Sequence, residues 1–500
     1  MNFLFMIYIL IIFMVSFTRL CSQDAPSPDM VSYRPATVAG TFYPNDPDEL
    51  KLWVKRYLDN GEASDKSQNI FGLVVPHAGY VYSGWIAGKA YKKVQGRKYD
   101  AVIIIAPSHT QAFDGSSVFD GDAYNTPLGE AMVDKELAKE ISGVNDLVKI
   151  SRKGHGWKGD RTEHSLEVQI PFIQTVLPKS KIVPIVMGTQ DFESVDALMK
   201  AIVFSVKKLN KNVLIVASSD LSHYHDETTA KSMDGCLIKA FDKYDYFRIA
   251  LNTFSRKWEA CGGAPIVVAM MAAEQLGANK ANTVLYSNSA NSPYIKGDSQ
   301  RVVGYFSGLI YKDEITNDLL PLITNENRHK LLEVAKATII NTAKEEEEII
   351  NIGVPAGELS EEYAVFVTIH KHGQLRGCMG HTIADNNLIS AVEESAKLAC
   401  SRDPRFSPVQ EDELDELDYE ITVLSRMKRI LNIEEIEPGR DGVLLRLRYN
   451  SGLFLPQVAT EQNWDRLTLL EQLGRKANLP KDSYKDSKAE LYIFRGMVIK

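Results

Sequence analysis

Residues Ala101–His109 read AVIIIAPSH, an apolar run of mostly β-branched residues that passes directly into a proline, a serine and a histidine. A continuous apolar run of this kind predicts a β-strand that is covered on both faces. The same arrangement recurs at Phe71–His77 and at Val213–His223, where an apolar run again leads into polar side chains. Together these runs favour an α/β domain with a largely parallel or mixed central sheet.

Polar side chains follow the carboxyl ends of these strands. His77 follows the first run along the chain, His109 the second, and Asp220 and His223 the third. Open α/β sheets bind ligands at this edge, because buried strands fix the backbone while the loops that follow leave side chains free. We therefore expect His77, His109, Asp220 and His223 to converge on one crevice.

Two further elements of this domain are predicted. Ile86–Val94 reads as a helix that follows the first strand, and Ile182–Met187 reads as another strand. A proline cannot donate a hydrogen bond inside a sheet. Pro184 therefore favours an edge position or a strand end for this run.

The chain has 500 residues, more than one hydrophobic core usually serves, and we expect two domains. The α/β pattern stops near Tyr311, so the first domain is placed at residues 33–311 and the polar residues 312–326 are interpreted as a linker. Residues 327–500 begin with apolar residues at helical spacing and continue with separated strands, which predicts a smaller α+β domain. Its predicted strands are Tyr363–His370, Tyr419–Leu424 and Val443–Leu447.

The first 23 residues predict targeting rather than fold. Met1–Leu20 is an apolar run without acidic residues, interrupted by Arg19 and followed by a polar segment. Such a segment is typical of an export signal or an N-terminal anchor, and cleavage, lipidation at Cys21 and retention all stay open. We expect the rest of the protein to be exported, as a periplasmic, extracellular or membrane-anchored protein that contacts the membrane only through this segment.

Composition excludes one class of partner. Hydrophobic residues make up 44% of the chain and charged residues 24%, as in ordinary globular proteins, and the formal net charge is -8. The sequence has no stripe of Lys and Arg interleaved with aromatic residues. Nucleic acid is therefore not expected as a partner.

The cysteines other than Cys21 are Cys236, Cys261, Cys378 and Cys400, and no CxxC pair occurs among them. Their wide spacing does not predict a disulfide framework. We expect Cys236 and Cys400 to be small buried residues. Metal ligation would explain a free thiol at Cys261.

Several groups able to bind a metal ion occur together in the first domain. They lie in Pro76–Tyr80, Pro107–His109, Glu163–Glu167, Ser219–His223 and Cys261–Gly263. Imidazole and thiolate form a borderline-soft donor set that suits copper, zinc or ferrous iron better than magnesium or calcium. A nucleophilic Cys–His pair stays open as an alternative, although no oxyanion-hole pattern accompanies it. Phosphate binding is discounted, because the glycines after Cys261 lack the Lys and Ser/Thr of a phosphate-binding loop.

These motifs, together with Thr37–Tyr43, occur in the order seen in the Memo family, and the resemblance covers roughly residues 33–311. Memo proteins are similar in fold to class III extradiol dioxygenases, which are non-haem iron enzymes. The resemblance implies a metal site of two histidines and one cysteine, at His77, His109 and Cys261. It implies iron or copper as the bound ion, with zinc as an alternative.

Catalytic roles are implied by the same resemblance. It places Asp220 and His223 around the metal site, and in an enzyme His223 or His164 would act as the acid or base. Eukaryotic relatives read Cys-Gly-Arg-His-Pro where this chain has Cys261–Pro265. The substrates of those relatives are therefore not carried over to this chain.

The second unit resembles the AMMECR family over roughly residues 327–500. The resemblance rests on Leu375–Gly380, Asp403–Phe406, Leu455–Ala459 and Trp464–Asp465. It implies an α+β fold, and fused Memo-like and AMMECR-like domains suggest a radical S-adenosylmethionine protein as a partner. Within Leu375–Gly380 two interpretations stay open: Cys378 beside Arg376 is a nucleophile or ligand, or Cys378 is packed inside a tight glycine turn.

Three functions are consistent with these features. The first is a transition-metal-binding protein that holds or delivers copper or iron, or acts in redox chemistry. The second is a metal-dependent oxidoreductase, and the third is a scaffold whose crevice binds a peptide. The expected partner of the site is an unknown small molecule or a peptide. Replacing the carboxylate of a dioxygenase facial triad by cysteine argues against ordinary extradiol cleavage, which favours the first function.

Overall fold

A computed structural model describes residues 32–65, 68–156, 162–314, 320, 323–346 and 355–500. The predicted leader, residues 1–23, lies outside the described residues, as do residues 315–319 and 321–322 of the predicted linker. Across the described ranges, no helix combines the length and the apolar character needed to cross a membrane.

The first half of the chain alternates strands and helices, which confirms the predicted α/β class. Its strands are β1 (Tyr33–Arg34), β2 (Asn69–Val75), β3 (Ala101–Pro107), β4 (Ser116–Phe119), β5 (Ala123–Thr126), β6 (Gly129–Met132), β7 (Val148–Ser151), β8 (Lys181–Met187), β9 (Val213–Ser218), β10 (His223–His225), β11 (Lys280–Asn288) and β12 (Val302–Lys312). Its helices are α1 (Pro47–Asp59), α2 (Tyr80–Val94), α3 (Lys135–Ser142), α4 (Ile170–Val176), α5 (Phe192–Leu209), α6 (Glu227–Asp242), α7 (Tyr246–Phe254) and α8 (Gly263–Leu276).

The central sheet has the strand order β10-β12-β2-β9-β3-β8-β4-β7, with β11 paired to β12. Its middle strands β2, β9, β3 and β8 run parallel, whereas β12 and β4 pair with them in antiparallel fashion. Every residue of β3 is buried, because helices cover both faces of the sheet. The adjacent strands β2, β9 and β3 therefore end side by side at one edge.

Strand β8 departs from the expectation for Pro184. The strand runs through the proline and lies between β3 and β4, so both the edge position and the strand end were wrong. Pro184 pairs with Ile104 of β3, while the antiparallel pairing with β4 covers only Ile185–Met187. The proline is tolerated because it lies just beyond the residues that pair with β4.

Helix α2 begins at Tyr80, six residues before the predicted start at Ile86. Its first turns carry Tyr80 and Gly84 on a buried face that packs against Tyr57 of α1. A Cβ atom at Gly84 would lie 2.8 Å from the Tyr57 ring, so this contact requires glycine. Apolar periodicity could not reveal a helix start whose packing depends on a glycine and a tyrosine.

The second half of the chain is the predicted α+β unit. Its elements are α9 (Asn325–Lys344), β13 (Ala364–Lys371), β14 (Gln374–Gly380), α10 (Leu388–Ser401), β15 (Leu417–Leu424), β16 (Lys428–Ile430), β17 (Gly442–Leu447), β18 (Asn450–Phe454), α11 (Pro456–Glu461), α12 (Arg466–Lys476), β19 (Glu490–Phe494) and β20 (Gly496–Ile499). They form two four-stranded antiparallel sheets, β14-β13-β15-β20 and β16-β19-β17-β18. Each sheet has its own buried apolar cluster.

The two domains share a buried contact. Tyr492 and Phe494 of β19 belong to the same apolar cluster as the core of the first domain. At this contact the buried Arg429 guanidinium lies 2.8 Å from the carboxylate of Asp196 in α5. Such a desolvated pair fixes the relative placement of the elements that carry it, because neither charge is left buried alone.

The described cysteines are free thiols, in agreement with the absence of a disulfide framework. Cys400 is 2% exposed, which confirms the expected burial. Cys236 is only half-buried, so its expected burial was wrong. The reason is its place on α6, where its thiol lies over the helix backbone near the Ser232 carbonyl rather than in the core.

Candidate metal centre

The ends of β2, β9 and β3 bring together the histidines that the sequence singled out. His77 follows β2 by two residues and His109 follows β3 by two residues. Between them β9 ends at Ser218 and leads into Asp220. The ring centroids of His77 and His109 are 5.1 Å apart, so the predicted convergence is present.

Hydrogen bonds fix the tautomer of the buried His77 ring. Its Nδ1 lies 2.9 Å from the hydroxyl oxygen of Ser218. That hydroxyl donates to the Ser165 carbonyl and accepts from the Gln169 amide, so from His77 it can only accept. Nδ1 therefore carries the ring proton and Nε2 presents its lone pair. Burial holds the pKa of His77 well below its usual range, which keeps the ring neutral.

His109 is oriented by the buried carboxylate of Glu163. One oxygen accepts from the His109 backbone N–H at 2.6 Å, and the other lies 3.0 Å from His109 Nδ1. Burial opposes the charge of Glu163, but hydrogen bonds from His109 and Ser165 outweigh it and lower the pKa of Glu163 to about 2. A carboxylate can only accept, so Nδ1 of His109 is protonated. The pKa of His109 is raised by this contact, despite burial, so a cation at Nε2 competes with a proton.

His164 completes a group of three imidazoles. One ring nitrogen from each of His77, His109 and His164 lies within 4.8 Å of the others, so these three residues could hold a metal ion. The His164 ring stacks on that of His109, with centroids 4.8 Å apart. Burial and the neighbouring His109 lower the pKa of His164 to about 4, so its ring is neutral at physiological pH.

Cys261 contacts this group at His77, although its Sγ is not among the donor atoms that lie within 4.8 Å of one another. Its Sγ lies 3.0 Å from His77 Nε2 and accepts the backbone N–H of Asp220 at 3.2 Å. Burial, reinforced by the Asp220 carboxylate, raises the pKa of the Cys261 thiol. Because Nε2 carries no proton, the thiol donates to it. Two donors of one tetrahedral ion lie roughly 3.3–3.6 Å apart, so sulfur and nitrogen are close to a shared-ligand arrangement.

Asp220 and His223 lie beside these donors. The Asp220 carboxylate accepts the His77 backbone N–H at 2.7 Å, and burial raises the pKa of Asp220 to about 7. His223 Nδ1 lies 2.7 Å from the Leu221 carbonyl, which can only accept, so Nε2 of His223 is unprotonated. The site thus holds a carboxyl whose pKa is raised to about 7 and, at His223, an unprotonated ring nitrogen on a ring whose pKa burial lowers.

Comparison with known proteins identifies the first domain. The family model of the Memo-like protein matches residues 34–309. This chain belongs to the Memo family. A MEMO1 family protein of Methanosarcina barkeri is 38% identical over 273 residues, which cover 54% of this chain and 97% of that protein. One of Methanocaldococcus jannaschii is 35% identical over 295 residues, covering 56% of this chain and all of that protein.

The second unit matches the AMMECR1 family model over residues 332–499. A crystal structure of an uncharacterised protein from Pyrococcus horikoshii is 32% identical to this chain, with a TM-score of 0.34. The match covers 35% of this chain and 92% of the chain in that structure. The two family models together describe a Memo domain followed by an AMMECR domain, as the sequence motifs indicated.

The AMMECR motif Leu375–Gly380 forms strand β14 rather than a tight turn, so the turn interpretation was wrong. This strand needs glycine at 377 and at 380, because a Cβ atom at either position would lie within 2.4 Å of the carbonyl oxygen of a neighbouring backbone segment. Arg376 pairs with Glu413 at 2.7 Å instead of facing the thiol. Cys378 is half-buried and accepts from the Thr368 hydroxyl at 3.4 Å.

Sequence reasoning missed the residues that orient the Memo donors. Ser218 and Gln169 fix the His77 tautomer, and Glu163 was noted only as part of a motif. Gln190 was not noted at all, although its side chain donates to the Cys261 carbonyl at 2.7 Å and accepts from the Ala264 N–H at 3.0 Å. The one signal in the sequence that could have found such an orienting residue is the position of Ser218, a polar residue directly after a predicted strand.

A pH-dependent stability is expected from the buried His155. Burial lowers the pKa of His155 from 6.5 to about 3, and its Nδ1 accepts from the Tyr124 hydroxyl. The unfolded chain binds the proton near pH 6.5 whereas the folded chain does not, so this stabilisation is present above that pH and is lost as the pH falls towards 3. Between pH 7.5 and pH 5 the loss should be about 2 kcal/mol.

Urea unfolding at the two pH values measures this loss. The His155→Gln variant keeps a donor for the Ser117 carbonyl, which His155 Nε2 contacts at 3.1 Å, but has no group that titrates. Its free energy of unfolding should therefore fall less than that of the wild type, by about 2 kcal/mol. Equal losses in the two proteins would show that His155 is not the titrating group.

Proposed function

We propose that this Memo-family protein binds one transition-metal ion with His77, His109 and Cys261. The observation that carries the proposal is the protonation pattern of the two rings: Ser218 and Glu163 hold the proton of each on Nδ1. Metal-binding histidines are commonly held in this way, with the outer nitrogen donating to a fixed acceptor while the other nitrogen binds the ion. The Cys261 thiol, 3.0 Å from His77 Nε2, supplies the third donor.

The donor chemistry favours iron or copper, with zinc as an alternative. Two imidazoles and one thiolate form a borderline-soft set, and the buried carboxylates are engaged as hydrogen-bond acceptors. A bound ion of this kind would supply Lewis acidity or one-electron chemistry. His164 lies close enough to serve as a further donor or to exchange a proton with a bound molecule.

The primary function we propose is metal binding linked to redox chemistry. Hard cations such as magnesium prefer oxygen ligands, but the carboxylates of Glu163 and Asp220 are engaged with backbone N–H groups of the histidine loops. The radical S-adenosylmethionine partner, the exported location and the peptide-binding scaffold stay predictions.

A metal-dependent oxidoreductase is the second candidate. It is favoured by His223, whose unprotonated Nε2 can accept a proton, and by Asp220, whose pKa is raised to about 7 by burial. Groups that titrate near the working pH are efficient general acids and bases. In such an enzyme, His223 would take the proton of a bound substrate, and Asp220 would exchange a proton near neutral pH while one of its oxygens accepts the His77 backbone N–H.

Metal analysis tests the primary proposal. Wild-type protein purified without chelators and reconstituted in turn with iron, copper and zinc should retain about one ion per chain, whereas His77→Ala, His109→Ala and Cys261→Ser should each lose it. A His164→Ala variant reports whether that ring is a further donor. Equal and negligible metal in the wild type and all variants would overturn the proposal. Sustained oxygen consumption with catechols or thiols, lost in His223→Ala, would favour the oxidoreductase over a binding protein.

A further inference from the structure

The thiol donor of the candidate centre lies on a connecting loop, not at the end of a strand. We call residues 255–262, which join α7 to α8, the Cys261 loop. Backbone contacts hold it to the Asp220 segment, where Cys261 N–H donates to the Asp220 carbonyl at 3.3 Å. Gly262 N–H also donates to the Ser219 hydroxyl, at 2.9 Å. These bonds hold the end of the loop to the Asp220 segment.

Gln190 also holds the end of this loop. Its side-chain amide donates to the Cys261 carbonyl at 2.7 Å and accepts the Ala264 N–H at 3.0 Å, so one side chain spans the loop and the first turn of α8. Gln190 directly precedes Asp191, the N-cap of α5. The position of Gln190 is therefore set by the start of α5.

The start of α5 contacts both the end of α7, directly before the Cys261 loop, and the second domain. The Phe192 ring contacts Phe254 at the end of α7, with ring centroids 5.1 Å apart. The Arg446 guanidinium of β17 also lies against this ring, 3.5 Å from the Phe192 centroid. A cation over an aromatic face at this distance is attractive, and more so where water is excluded.

Further contacts of the AMMECR domain fall on the same helices. Tyr492 packs against Phe247 of α7, with ring centroids 4.9 Å apart. Arg429 pairs with Asp196 of α5, and its carbonyl accepts from Gln275 of α8 at 2.8 Å. The helix before the Cys261 loop, the helix after it and the helix that begins after Gln190 thus all carry contacts with the second domain.

We propose that the contacts of the AMMECR domain with α5, α7 and α8 hold the Cys261 loop in place, and we call these contacts the brace. Gln190 is the positioning residue that links the brace to the thiol. The inference rests on the proposed metal site and adds a role for the second domain. The brace fixes the distance between Cys261 and His77, on which binding by both residues depends. Metal sites need such support, since ligands on loops are held less precisely than ligands on helices or strands.

Cobalt(II) titration of the full-length chain tests the brace, because a thiolate bound to Co2+ gives a charge-transfer absorption that imidazole alone does not. Gln190→Ala should weaken Co2+ binding about 10-fold or more and lower this absorption at saturation, as for other supporting residues of metal sites. Arg446→Ala should change both quantities in the same direction and by less. Gln190→Glu, which can still accept from Ala264 N–H, should restore part of the absorption.

The matched control is Arg466→Ala. Arg466 is half-buried in the same domain and donates to the Ile436 carbonyl at 2.8 Å, but its contacts stay within that domain. It should leave Co2+ binding and absorption unchanged. Wild-type values in both Gln190→Ala and Arg446→Ala would overturn the inference. An effect of Gln190→Ala alone, without one of Arg446→Ala, would overturn the role of the AMMECR domain.

Amide hydrogen exchange without added metal separates this inference from the metal proposal. Exchange in residues 255–264 should become faster in Arg446→Ala and stay as in the wild type in Arg466→Ala. If the wild type bound no Co2+ but this difference appeared, the metal proposal would fail and the brace would stand. If Co2+ bound and exchange did not differ, the brace would fail.

Discussion

Replacing Arg34 by methionine should lower the free energy of unfolding by about 3–5 kcal/mol. The Arg34 and Glu167 side chains form a salt bridge and are 1% and 0% exposed. Methionine fills much of the same volume but leaves the Glu167 carboxylate buried without its cation. Glu167 would keep other donors, including the Tyr43 hydroxyl at 2.7 Å, which limits the loss.

Urea or thermal unfolding measures this effect, with Lys135→Met as the matched control. Lys135 also forms a salt bridge, at 2.5 Å to Asp122, but both side chains are partly exposed. Exposed pairs of this kind contribute about 0–1 kcal/mol. A loss for Arg34→Met no larger than that for Lys135→Met would contradict the structural importance of the buried pair.

Replacing Glu163 by glutamine should weaken metal binding about 10- to 100-fold, the range typical of supporting residues at metal sites. The carboxylate accepts from the His109 ring and from three backbone N–H groups, those of His109, His164 and Ser165. A glutamine has one oxygen and one NH2 group, so it cannot accept on both sides. The His109 ring or its loop then loses its fixed orientation.

Glu394→Gln is the control for this prediction. Glu394 also contacts an imidazole, at 3.3 Å from His381 Nε2, but both residues lie in the AMMECR domain and neither is a proposed ligand. Metal titration should give affinities close to the wild type for Glu394→Gln and clearly weaker ones for Glu163→Gln. Equal affinities of the two variants would show that Glu163 does not support the site.

The sequence predicts those parts of the fold that depend on local pattern. The apolar runs that form β2, β3 and β9 are continuous, so their burial and their common edge could be predicted from the local sequence pattern. His77 and His109 could be placed near one another because each follows such a strand directly. The two-domain order likewise followed from a change in pattern near Tyr311.

Other features depend on contacts between residues that are distant along the chain. Cys261 and His77 are 184 residues apart, and no spacing rule joins them. The placement of His164 within the imidazole group depends on a loop held by Arg34, which donates to the Glu163 carbonyl from 129 residues away. Pro184 is tolerated inside the sheet because the neighbouring strand β4 does not pair with β8 at this residue, which the local sequence does not show.

The protonation of the His77 and His109 rings, fixed by Ser218 and Glu163, has a consequence for how an ion would come and go. Small zinc domains fold only when the metal draws their ligands together, so chelators unfold them. Here the strands and buried acceptors already orient the rings, and the ordering entropy is lost during folding rather than on metal uptake. We therefore expect a chelator to remove the ion while the secondary structure stays intact, leaving a protein that can be refilled. Reversible loading of this kind suits a carrier as well as an enzyme.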